Sequence, residues 1–126
     1  MRGTEGASPE GFRRKALRSL EAGHLLLGEG LVDDATSRLH YAVFQGGVYG
    51  LEARTREPRE FRSTDWDPLT VARCAVLLRG RPEDIGLFDT ARELRQNADD
   101  DRKSVQRRWV EFLRRDVERF VIDVTR

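Results

Sequence analysis

The chain has one cysteine, Cys74, and two histidines, His24 and His40. A single thiol excludes an intrachain disulfide and points to a reducing compartment. Cys74 reads as a small buried hydrophobe, or as a reactive thiol if neighbouring Arg73 lowers its pKa. So few Cys and His residues do not supply the four protein ligands of a zinc centre, and no metal or other cofactor is expected. Apolar runs are short, and none approaches the ~18 residues of a membrane span. The opening stretch MRGTEGASPEG has no apolar centre of the kind a signal peptide carries. A cytoplasmic protein that does not engage membranes is therefore expected. Strand-like alternation is missing as well, which argues against a sheet, and no Gly-rich loop joins a strand to a helix, which excludes phosphate-cradle and dinucleotide motifs. Charge of one sign is not in excess. Lys plus Arg number 23 against 22 Asp plus Glu, and a net charge of +1 does not suggest a general polyanion binder of the histone kind.

What the chain does have is dense mixed charge, 36% of residues, beside 38% hydrophobic residues, the balance that short amphipathic helices need. Its 126 residues suit one domain with one core. The stretch 31–53, LVDDATSRLHYAVFQGGVYGLEA, is the expected centre. Wound as a helix it is apolar on two sides: Ala35, Leu39, Ala42, Gly46, Tyr49, Gly50 and Ala53 on one, and Tyr41, Phe44, Val48 and Leu51 on the other. Gly46 and Gly47 cost roughly 1 kcal/mol each relative to Ala in a helix, so a second helix is expected to cross close to Gly46.

Around this segment the period predicts four more helices. Residues 1–8 are Gly-rich and polar and are expected to fray. Ser8, Pro9 and Glu10 open a helix over 9–27 with Phe12, Ala16, Leu20, Gly23 and Leu27 inward, ended by Gly28 and Gly30. Asp33 or Asp34 is expected to cap the central helix. Residues 54–66 have no period and read as a solvated loop or a functional one. Asp67 and Pro68 open a helix to residue 79, and another runs from about 83 to 98 with Leu87, Phe88, Ala91, Leu94 and Ala98 inward. The last, from about 102 to the end, is expected to bury Val105, Trp109, Phe112, Leu113, Val117, Phe120 and Val124. Its Arg107, Arg108, Arg114 and Arg115 form a solvated face or meet a phosphate backbone. The expected fold is all-α, a five-helix up-and-down antiparallel bundle over 9–126.

Two segments carry the functional signal. Residues 37–44 read SRLHYAVF in the central helix, and residues 93–99 read ELRQNAD at the end of the 83–98 helix. In this order, with a long helix following, they resemble the HEPN domain, the nucleotide-binding domain of higher eukaryotes and prokaryotes. The resemblance covers residues 10–124. It implies an all-helical bundle that forms a homodimer and works beside a minimal nucleotidyltransferase partner, often as toxin and antitoxin. Ribonuclease members of that family carry an Arg followed within a few residues by His. Here Arg95 is followed by Gln96, Asn97, Ala98, Asp99, Asp100, Asp101 and Arg102, with no His. Asp100 also stands where a Tyr is usual. Arg18 and His24 have the nuclease spacing, but lie in the first helix, where His24 reads as a partly buried core residue.

The resemblance thus implies an RNA- or nucleotide-binding protein that has lost the usual proton-transfer group, with Arg38, His40, Arg95, Asn97 and Asp99 as ligand-binding candidates. Arg95 and Asp99, one helical turn apart, either pair locally or line a groove for a phosphate or nucleotide. Two alternatives stand beside this reading. One is a metal-independent ribonuclease toxin using Arg95 and His40, and the other is a non-catalytic protein-protein interaction module.

Overall fold

The computed structural model describes residues 9–54, 84–100 and 105–126. They form four helices: α1 (Pro9–Gly28), α2 (Val32–Arg54), α3 (Asp84–Ala98) and α4 (Arg107–Thr125). Among the described residues there is no strand. The N-terminus expected to fray, the 54–66 loop beyond Arg54, the helix expected over 67–79 and Cys74 lie outside the described residues.

α1 ends as its glycines predict. Gly30 has φ +83°, the Gly30 amide donates to Leu27 O at 3.0 Å and the Leu31 amide to Leu26 O at 2.9 Å. These are the paired bonds of a Schellman cap, which a residue bearing a Cβ would strain. The turn sends α2 back antiparallel to α1, so Ser19 faces Gln45, with Oγ and the side-chain amide 2.8 Å apart, and Gly23 faces Leu39. α2 begins two or three residues earlier than its aspartates suggested: it starts at Val32, and the Ala35 amide donates to Leu31 O at 2.9 Å. Asp33 and Asp34 therefore lie within the first turn, near the positive end of the helix dipole, instead of capping it.

α2 is the hub against which α1, α3 and α4 all pack. Ala35, Leu39, Ala42, Val43 and Val48 are buried along it. The expected close crossing occurs at Gly46, where a Cβ would stand 3.4 Å from Val124, 3.5 Å from Val121 and 3.6 Å from Phe120, all on α4. Phe120 is fully buried and meets Phe88 of α3 edge to face, with centroids 5.9 Å apart. Arg13, near the start of α1, donates from Nε to Thr125 O at 3.1 Å, tying α1 to the end of α4 and satisfying a carbonyl of its last turn.

Direction follows from these contacts. α1 opposes α2 and α4, and α3 opposes the same two, because Arg95 meets Tyr41 while Phe88 meets Phe120. The described helices therefore alternate up, down, up, down. Residues 54 and 84 fall at the same end of the bundle, so among the described helices the 84–98 helix runs opposite to α2, not parallel to it as a strict alternation of five rods requires.

Three burial expectations need correction. Trp109 and Phe112, expected inward, are 50% and 52% exposed. The core side of α4 is set by Val110, Leu113, Val117, Phe120, Val121 and Val124, whose arc is rotated away from the two rings. His24 is exposed, because burying Gly23 and Leu27 turns the intervening position outward. Tyr41, expected on an apolar side of α2, is 39% exposed beside exposed Arg38.

Candidate anion-binding cleft

The α2–α3 seam opens beside His40 into a cleft of about 320 Å³ lined by His40, Arg92, Arg95, Gln96 and Asp99. The four α3 residues share one side of their helix because positions three and four apart lie one above another. His40 comes from the opposite wall. It is only 7% exposed, since its neighbours Leu39, Ala42 and Val43 hold that part of α2 in the core.

Burial and the positive charges of Arg95 and Arg92 push the His40 imidazole down from its ordinary 6.5 to about 4, with Asp99 pulling weakly the other way. The ring is therefore neutral at pH 7. Its Nδ1 is buried and has no hydrogen-bond partner among the described residues, and the same holds for Nε of Arg95. A buried polar atom without a partner costs free energy that a bound ligand atom would recover.

Arg95 is held on two sides. Its guanidinium carbon lies 5.3 Å from the centroid of the Tyr41 ring, with Nη2 3.5 Å from the phenol oxygen. Nε is 3.7 Å from Asp99, too long for a hydrogen bond, so the expected local pair exists as a loose ion contact. Its side chain is 37% exposed and Asp99's 60%, so the pair contributes little stability.

Of the residues singled out in the sequence, His40, Arg95 and Asp99 meet. Arg38 lies in an adjoining groove with Leu26, Asp34, Ser37 and Tyr41, so Tyr41 stands between the two arginines. Asn97 does not line the cleft: two residues beyond Arg95, it falls about 200° around the helix. Sequence reasoning missed Arg92, Gln96 and Tyr41. The spacing 92, 95, 96, 99 carries the signal for the first two, whereas Tyr41 falls by its spacing on an apolar side of the central helix.

Three arginines of α4 pair with acids of their own helix. Arg107 pairs with Glu111 at 2.9 Å, Arg114 with Glu118 at 2.7 Å and Arg119 with Asp123 at 3.7 Å, each one turn along the helix. Among the described residues no group of three or more His, Cys, Asp and Glu is placed to hold a metal ion, and no helix is long and apolar enough to cross a membrane. No protein-family model matches the chain, and neither a curated protein nor a solved structure matches it.

Proposed function

We propose that this chain is a HEPN-like helical domain that binds RNA or a nucleotide without cleaving it. In this reading it works in the cytoplasm as a homodimer beside a nucleotidyltransferase, in a toxin-antitoxin or defence-type system. The observation that carries the reading is the juxtaposition of Arg92, Arg95 and the partnerless Nδ1 of His40 in one open cleft. Two guanidiniums against one carboxylate favour a phosphate oxygen, and His40 offers it or an attached base a neutral ring nitrogen. The exposed Tyr41 ring adds a surface on which a base stacks.

The ribonuclease alternative places Arg95 and His40 in the same roles that cleavage requires, and they do share the cleft. With burial and the two arginines holding its pKa down to about 4, however, the His40 ring in the free cleft is neutral at pH 7, which disfavours a general-acid role. Recognition is the better use of the site.

The test is binding of a fluorescently labelled single-stranded oligoribonucleotide to wild type and Arg95→Ala. The expected result is a loss of about tenfold or more in affinity, a salt dependence shallower by about one phosphate contact, and unfolding stability within about 0.5 kcal/mol of wild type. Equal binding with lowered stability would make Arg95 a structural ion-pair residue and remove the proposal. Incubation with total RNA in chelator provides the catalytic control, since cleavage abolished by His40→Ala would replace recognition with chemistry.

A further inference from the structure

A second opening, on the other side of α3, has a different character. Gly86, Leu87, Thr90, Glu93 and Leu94 of α3 face Trp109, Phe112, Leu113, Asp116 and Arg119 of α4 across a groove of about 590 Å³. Its floor is aliphatic, and the two half-exposed aromatic rings stand on one wall. The guanidinium carbon of Arg108 lies 5.0 Å from the Trp109 ring centroid, and that of Arg115 lies 5.4 Å from the Phe112 centroid. The rings are 6.2 Å apart. Each is thus braced by a cation, neither of which lines the groove, and loses little side-chain freedom when something packs against it.

The geometry points to this groove as a docking site for an amphipathic helix of a partner protein with Lys or Arg flanking its apolar stripe. Length supports a helix. Trp109 to Arg119 spans ten residue steps, about 15 Å at 1.5 Å per residue, enough for apolar anchors at i, i+4 and i+7. Charge supports a cationic one. Glu93 and Asp116 stand on opposite walls, and among the described residues neither has an ion pair, whereas Arg119, the cation of the lining, lies 3.7 Å from Asp123 in a loose ion contact and Arg108 and Arg115 lie over the ring faces outside the lining. Carboxylates on both walls repel a nucleic-acid backbone. Two half-exposed rings offer roughly 200 Å² of apolar surface, well short of the ~800 Å² per subunit that a stable dimer buries. The inference is independent of the reading of the His40 cleft.

The probes are two labelled synthetic helices of about four turns with the same leucine stripe, one flanked by lysines and one by glutamates, followed by fluorescence anisotropy. The lysine helix is expected to bind and the glutamate helix to bind at least about tenfold more weakly. Trp109→Ala is expected to weaken the lysine helix about tenfold or more, and Phe112→Ala serves as the second variant. The double variant Glu93→Lys, Asp116→Lys should invert the preference, while Arg95→Ala should leave it unchanged. Equal binding of both helices, or indifference to Trp109→Ala, Phe112→Ala and the charge reversal, would overturn the inference. So would self-association, or binding of a single-stranded oligoribonucleotide, that disappears in Trp109→Ala while the lysine helix fails to bind wild type.

Discussion

His40 makes the folded state sensitive to acid in a window that can be worked out. In the unfolded chain the imidazole takes up a proton around its ordinary 6.5, while in the bundle burial and then Arg95 and Arg92 hold it to about 4. Between those values the unfolded state binds the extra proton, so stability falls as pH falls. His40's contribution is fully present above about pH 6.5 and gone below about pH 4. At 1.36 kcal/mol per pH unit the loss approaches roughly 3 kcal/mol across the whole window, and roughly 2 kcal/mol by about pH 5. The assay is urea unfolding of wild type and His40→Gln at about pH 7.5 and about pH 5, taking the difference of differences so that titrating carboxylates cancel. Gln keeps a polar side chain on α2 and removes the proton equilibrium. The expected result is a wild-type loss between the two pH values that exceeds the variant's by roughly 2 kcal/mol. Parallel pH profiles, or imidazole NMR signals of His40 that titrate near 6.5, would refute the reasoning. Inorganic phosphate bound beside His40 should draw that titration upward, which links the stability measurement to the proposed ligand.

Two helix glycines should respond to the same substitution with opposite signs. At Gly46 an added Cβ meets Val124, Val121 and Phe120 at 3.4–3.6 Å, ordinary contact, so Gly46→Ala should raise stability by about 0.5–1 kcal/mol while Gly46→Leu overpacks the crossing and lowers it. At Gly23 the Cβ would come within 2.8 and 2.9 Å of Cδ2 and Cγ of the fully buried Leu39, so Gly23→Ala should cost about 1–2 kcal/mol net. Thermal midpoints of the two Ala variants that move in the same direction would contradict this. Phe120→Ala should cost about 3–5 kcal/mol, a large part of the stability of a domain this size, and circular dichroism should show much of the helix lost. Ile122→Ala, at a 45% exposed position of the same helix, should change stability by less than about 0.5 kcal/mol.

The helical class and the described helices were legible in the residues because amphipathic period is local. The glycine stop at Gly30 follows from its positive φ and the inward stripe from Phe12 to Leu27 from spacing, and a helix does cross at Gly46, although a Cβ there would meet it only at ordinary contact distance. The site was half legible. His40, Arg95 and Asp99 stood out as residue types, and Arg92 and Gln96 fall on the same helical side by arithmetic, yet which side of α3 meets α2 is not written in α3.

Sequence by itself determined that this chain makes helices, where the described ones begin and end to within a few residues, and that one small-residue strip lets two of them come close. Only the tertiary structure decided the rotation of each helix about its own axis. That rotation exposes Trp109 and Phe112, turns His24 outward, sets Asn97 away from the cleft and brings Tyr41 against Arg95. A helix with apolar residues over a broad arc can be seated at several angles with similar local energy. The angle is chosen by which side chains interlock across the seams, a property of pairs of helices that no single stretch contains.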